Sequence, residues 1–424
     1  DRAARSAVDL DLVARRRAED LAALTAELAQ ARAHLGAFVP DATWWTERVR
    51  RERAAPWTDP DWNRLRSSLL FAALRLHKTF LRHAAAPMRQ SLQGAMDIVG
   101  GGAPRELPAA AVLDAWRSLF FVVPVVSTTF ASFGRVFSHL GPAALGWLLI
   151  DEAGQATPQV AAGALWRTRN AIVVGDPLQL EPVSTLPFRI QQLLRQAHGV
   201  DEQWVPARTS VQRLADRLNP LGTWLPDEDA PVWVGAPLVV HRRCDEPMFG
   251  LVNDLVYGGL MISETSPMGA AQFGARYPRL PASKWLNVTS TGAQGHWVPA
   301  EGRALEQILA VLAQFGVPMA EVMVIAPFRD IAQALRPYAR RYPGLVAGTI
   351  HTAQGKQADV VIMVLGGNPA SPGAKRWAAS RPNLFNVAVS RAKRRIYVIG
   401  DHQAWSDEHY FRELATVLPH AQPR

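Results

Sequence analysis

The sequence predicts an α/β protein with two parallel-sheet domains and an all-helical hairpin placed ahead of the sheets. Three observations predict it. From residue 120 onward, short apolar runs alternate with amphipathic stretches, as in buried parallel strands joined by helices. Polar residues follow the apolar runs, at the carboxyl ends of strands where such sheets carry their chemistry. The earlier residues lack these runs and instead space their leucines as a helix does. The expected segments are 1–119 (helical hairpin), 120–230 (first sheet domain) and 231–424 (second sheet domain).

In the first segment, Leu21, Leu24, Leu28, Ala31 and Leu35 fall three and four apart, which predicts the seam of a packed helix. Pro40 ends the pattern. Trp62, Leu65, Leu69, Ala72 and Leu76 repeat it, and the two stripes predict an antiparallel hairpin. The Arg15–Arg17 and Arg48–Arg53 clusters lie outside the stripes and read as solvated faces. Gly100–Gly102 reads as a loop; no Lys-Ser or Lys-Thr follows it, so it is not a phosphate loop.

In the second segment, Phe120–Ser127, Gly146–Ile150 and Ala171–Val174 are the expected strands. The Leu225–Val232 stretch, with two prolines and three acidic residues, reads as a domain junction. Beyond it, strands are expected at Leu238–Val240, Val322–Ile325, Gly344–Ala347, Val360–Val364 and Arg395–Ile399. Helices are expected at Ala300–Phe315, Ile331–Arg341 and Asn383–Ala392, and the closing HAQPR is expected to fray.

Composition narrows the classes. Hydrophobic content of 48% is ordinary for a globular chain, and no apolar run approaches the roughly 18 residues of a membrane span. The opening DRAARSAVDLDL has no signal-peptide core and no initiator Met, and the sequence reads as part of a longer protein. A single cysteine, Cys244, excludes an internal disulfide and a Cys-based zinc site; a reducing, cytoplasmic setting is expected. The net charge of +9 suits a polyanionic partner. Because 41 of the 46 basic residues are Arg in an Ala-rich chain, codon bias explains part of that excess.

Four short segments carry the chemistry: Leu148–Ala156, Val173–Pro182, Gly348–Val361 and Asn383–Lys393. In the first, an apolar run delivers adjacent carboxylates, Asp151 and Glu152. In a nucleotide hydrolase, one such carboxylate holds Mg²⁺ and the next polarises the attacking water. In the second, Gly175 and Pro177 make a tight exit from a strand and present the Gln179 amide. No G-x-x-x-x-G-K-[ST] phosphate loop occurs in the 424 residues.

In order and spacing these segments resemble superfamily 1 helicases, in the branch of the nonsense-mediated-decay helicases and related bacterial ATPases. The resemblance spans residues 120–405 and implies two RecA-like domains, the first N-terminally truncated, with the phosphate loop upstream of Asp1. It implies Asp151 and Glu152 for metal and water, with Gln179, Arg242 and Arg391 reading the γ-phosphate and Arg391 as arginine finger. His241, Gly355, Lys356 and Gln357 would line the nucleotide, Gln357 standing where the family has Glu. Thr128, Pro327, Thr349, His351 and Thr352 would lie along the nucleic acid. The implied activity is ATP- and Mg²⁺-dependent movement on single-stranded DNA or RNA, 5′→3′ by branch, with the chain inactive by itself. Two alternatives stay open: a single-strand-binding module without ATP turnover, and a different P-loop machine such as a nuclease-coupled remodeller.

Overall fold

The structure is a computed structural model that describes residues 2–104, 106–226, 230–289, 292–371, 373–380 and 382–422, the side chains of 2–10 excepted. Residues 1–104 with 114–124 form one compact unit, and residues 105–113 with 125–424 a second. The expected break at 230/231 falls inside the second unit.

The first unit is helical: Arg2–Leu35, Ala42–Thr46, Arg48–Arg53, Pro60–His83 and Ala85–Gly100. Local chemistry starts the fourth helix, where the Asp59 carboxylate accepts the Trp62 N–H at 2.8 Å and Pro60 occupies the first turn. His77 of this helix stacks on Phe121 at 4.2 Å. The expected hairpin seam is not buried. Leu21 is 66% exposed and Leu69 71% exposed, and Leu24, Leu65 and Leu76 are exposed with them. Spacing specifies an apolar face; it does not specify what covers that face.

The second unit holds two main parallel sheets and two short strand pairs among the described residues. Strand β1 (Leu145–Ile150) pairs with β2 (Thr168–Val173), Leu145 against Thr168 through Ile150 against Val173. The expected strand at Phe120–Ser127 is absent. Phe120–Val122 complete the helix Ala109–Val122, and 123–129 run without a ladder. An extended segment becomes a strand only beside a neighbour with unpaired backbone groups, and no described neighbour pairs with this one. The sheet is correspondingly open: Trp147 and Leu149 are exposed on β1, as are Ile172 on β2 and Val174 just beyond it.

An antiparallel hairpin of β3 (Gly222–Leu225) and β4 (Val232–Gly235) occupies the expected junction, with Trp224 edge-on to Trp233 at 5.3 Å. Two short strands, β5 (Val240–His241) and β6 (Ile262–Ser263), pair in parallel.

The larger sheet contains β7 (Lys284–Asn287), β8 (Val322–Ala326), β9 (Val346–Thr349), β10 (Ala358–Val364), β11 (Ala392–Gly400) and β12 (His420–Ala421). Their order is β12-β7-β11-β10-β8-β9, with every pair parallel. The uninterrupted Val322–Ala326 and Val360–Val364 runs are buried on both faces, as a covered parallel sheet requires. Two corrections follow. The helix expected over Ile331–Arg341 is broken into Arg329–Ala334 and Arg336–Arg341, because Pro337 cannot donate within a continuous helix and starts a new one. His420 and Ala421 do not fray; they add an edge strand to β7.

Helix Pro299–Gln314 packs on this sheet and carries Glu301, which is 0% exposed. One carboxylate oxygen accepts the Gly366 N–H at 2.8 Å, and the other has no hydrogen-bond partner among the described residues. Burial pushes Glu301 up to about 8, against the opposing pull of the Gly366 bond. A carboxyl raised on folding stabilises fully below its ordinary value of 4.5, and that contribution is lost as pH rises through about 8. Urea midpoints should therefore fall across this window, and Glu301→Gln should flatten the slope; an unchanged slope would exclude Glu301 as its source.

Candidate functional site

The site is built where two strands of the smaller sheet end. Asp151 and Glu152 follow β1, and Glu152 takes a left-handed backbone with φ 53°. That conformation is costly for a residue with a side chain and is typical of functional turns. The Asp151 carboxylate accepts the Glu152 N–H at 2.9 Å, leaving its second oxygen exposed. Beside this turn, the exit from β2 is pressed against it backbone to backbone. A Cβ on Gly175 would lie 2.8 Å from Gly154 N, so that position requires glycine.

Asp176 organises the loop that follows. One oxygen accepts Leu178 N–H and the other accepts the Gln179 amide, each at 2.9 Å. The second oxygen also accepts the Tyr257 phenol. Tyr257 in turn accepts from the Asn386 amide at 2.8 Å, and Asn386 donates to the Leu178 carbonyl at 2.9 Å. The Asn383 amide donates to the Gln179 carbonyl. Burial, then the Asp176 charge, hold Tyr257 well above the usual phenol value, so it remains a proton donor. The loop from the smaller sheet is thus fastened to the helix Pro382–Ser390 beside the larger one.

Arg391 closes the seam and is 3% exposed. Its Nε donates to the Val387 carbonyl and Nη1 to the Lys356 carbonyl, both at 3.2 Å. Nη2 donates to Gln179 Oε1 and to Ser390 Oγ, both at 3.3 Å. These acceptors are neutral, and among the described residues no carboxylate forms a salt bridge with Arg391. Burial, then the Arg243 charge, lower its pKa, while Glu152 acts in the opposite sense. Glu152 itself accepts the Gln354 amide at 3.1 Å, a second tie across the seam.

Two family profiles, each described as an AAA domain, match residues 109–185 and 237–403. A probable helicase of Dictyostelium discoideum is 23% identical over 299 residues, covering 68% of this chain and 28% of that protein. The DNA replication ATP-dependent helicase/nuclease DNA2 of Gallus gallus is 22% identical over 259 residues, covering 59% and 22% respectively. The chain belongs to the superfamily 1 helicase family. It spans less than a third of either relative. A solved arterivirus nonstructural protein 10 (helicase) in complex with DNA is 15% identical with a TM-score of 0.31, covering 73% of this chain and 57% of that one.

Of the expected catalytic residues, Gln179 is hydrogen-bonded to Arg391, and Glu152 lies within electrostatic range of Arg391. Arg242 is exposed and makes no hydrogen bond or ion pair among the described residues. Its neighbour Arg243 instead reaches the Ser390 carbonyl at 3.5 Å and lies within electrostatic range of Arg391. The His241 ring is spent on the turn, where Nε2 accepts Cys244 N–H at 2.8 Å. Burial, then Arg243, lower it to about 4, so it is neutral at pH 7. Gly355, Lys356 and Gln357 are exposed on the turn before β10, Gly355 with φ 73°.

Of the expected nucleic-acid residues, Thr349, His351 and Thr352 share one turn after β9. The two threonine hydroxyls are engaged in capping it, Thr352 Oγ1 donating to the Thr349 carbonyl at 2.8 Å. Partial burial and the nearby Arg329 charge lower His351 below the ordinary imidazole range. Thr128 is exposed, on the segment without a ladder. Pro327 needs correction: it is buried and shapes its loop, while Arg329 is what the loop exposes.

Sequence reasoning missed Tyr257, Asn383, Asn386, Arg243 and Gln354. Asn383 lies inside a segment already singled out, yet its bond to Gln179 spans 204 residues and has no local signal. Tyr257→Phe removes the phenol donor while keeping the ring, leaving Asp176 and Asn386 each short of a partner. The expected loss is about 1–3 kcal/mol of stability, read from urea unfolding; a change within error would mean that the bonds are replaced by solvent.

Proposed function

We propose that this chain is the motor portion of an ATP-dependent helicase or translocase acting on single-stranded nucleic acid. One observation carries the reading: Arg391 is a buried cation whose hydrogen bonds all go to neutral groups. A charge removed from water without a counter-ion is costly, and a triphosphate in the seam would supply one. Four of its five N–H groups are occupied, which fixes the guanidinium plane and leaves one Nη1 proton for a phosphate oxygen.

In this reading, Asp151, Glu152 and Gln179 face the phosphates from the smaller sheet, and Arg391 and Arg243 from across the seam. Asp151, exposed with one oxygen free, fits Mg²⁺, which needs only one or two protein carboxylates alongside water and phosphate oxygens. Bound Mg²⁺ would neutralise charge on the transferring phosphoryl group. Glu152, held by the Gln155 and Gln354 amides at 3.1 Å each, orients the attacking water and accepts its proton. Arg391 stabilises charge that develops on the γ-phosphoryl group. Loss of that group on hydrolysis weakens the ties made by Gln179 and Arg391, so the seam has different stabilities before and after turnover.

The turn holding Thr349, His351 and Thr352 and the exposed Arg329 lie at the carboxyl edge of β8 and β9, where a strand held through its phosphates would pass. The relatives named as helicases support this direction, while DNA or RNA as the track and 5′→3′ polarity follow from the family branch alone. A second reading, single-strand binding without turnover, is favoured by the lack of G-x-x-x-x-G-K-[ST] in residues 1–424. The two separate by experiment. In a protein joining this chain to its phosphate loop, single strands should stimulate ATP hydrolysis, and Arg391→Ala should lower turnover by about 10³–10⁵-fold with strand binding retained. Turnover equal to wild type in Arg391→Ala would sink the motor reading.

A further inference from the structure

Residues 231–424 cover their aromatic side chains with one exception. Every described Phe, Tyr and Trp of this stretch is buried or half-buried except Trp377, which is 55% exposed. Its helix, Gly373–Ala378, is firmly seated. Ala378 and Ala379 are buried, Ser380 Oγ donates to the Trp377 carbonyl at 2.8 Å, and Lys375 Nζ donates to the Ala404 carbonyl at 3.3 Å. The outward indole is therefore presented by a fixed base.

Behind it runs a ladder of rings. Phe328 lies 6.3 Å from Trp377 at an interplanar angle of 35°, and His296 stacks on Phe328 at 4.2 Å and 28°. The ladder ties Trp377 to the carboxyl edge of the larger sheet, because Phe328 follows β8, whose Ala326 pairs with Thr349 of β9. A cation adjoins each outer ring of the ladder in sequence, Arg376 before Trp377 and Arg329 after Phe328. Arg376 is exposed with no hydrogen bond or ion pair among the described residues, and the exposed Arg329 is close enough to depress His351.

We propose that Trp377 is a base-stacking platform for a single nucleic-acid strand, with Arg376 and Arg329 beside it on the phosphates. The proposal rests on the nucleic-acid reading above and adds to it a contact with the bases. An indole face accepts any base, so the contact adds affinity without sequence preference. It also explains why one large apolar ring is left in water on a surface that otherwise hides its aromatics.

The test compares this chain with Trp377→Ala and Trp377→Phe, binding to an oligothymidine and to an abasic sugar-phosphate strand of equal length. Trp377→Ala should weaken oligothymidine binding about 5- to 100-fold, Trp377→Phe should retain most of the affinity, and the abasic strand should not distinguish the three proteins. Equal binding of oligothymidine by wild type and Trp377→Ala overturns the proposal. So does an equal loss on both strands, which would make the indole a support for the surface. If the wild type binds neither strand, the nucleic-acid reading itself fails and this inference with it. Unchanged urea midpoints keep either outcome from being a folding defect.

Discussion

The second unit depends on one constraint: a buried guanidinium held in the seam between two sheets by neutral acceptors. Arg391 cannot be satisfied by either side alone. Its own helix supplies the Val387 carbonyl and the Ser390 hydroxyl, and the turn before β10 supplies the Lys356 carbonyl. The fourth acceptor, Gln179, comes from the loop after β2. A guanidinium kept out of water demands that these acceptors stay in place. The geometry of the loop is therefore set by the needs of the arginine as much as by its own sequence.

Asp176 meets that demand from the other side. Its carboxylate satisfies Leu178, Gln179 and Tyr257 together, and Tyr257 passes the constraint to Asn386. The chain of bonds runs from the end of one sheet to a helix beside the other. Such a network is strong when complete and costly when partly broken. Opening the seam consequently breaks several bonds together, which favours two discrete arrangements over a continuum.

The strands that carry contiguous chemistry were legible in the sequence. The runs before Asp151 and Gly175, and the strands over Val322–Ile325 and Val360–Val364, announce themselves through unbroken apolar residues ending in polar ones. The contacts that join them were not legible. Tyr257 and Asp176 are 81 residues apart, and Asn386 reaches Leu178 across 208, so no local spacing records either pair. Phe120–Ser127 misled for a related reason. Its composition suits a strand, but strandhood depends on a neighbour, and the final residues of a helix can be equally apolar. The leucine stripes of the first unit teach the same point about faces: periodicity orients a helix without naming its partner. The adjacent Arg242 and Arg243 read alike in sequence, and only the structure shows that Arg243 is the one that reaches the Ser390 carbonyl.

The open sheet of β1 and β2 has a practical consequence. An uncovered parallel edge with exposed Trp147, Leu149 and Ile172 offers backbone donors, backbone acceptors and greasy surface at once. Natural sheets hide or charge such edges because they recruit strands from other molecules. In solutions of this chain by itself, that edge is the expected site of self-association, and capping it the expected remedy.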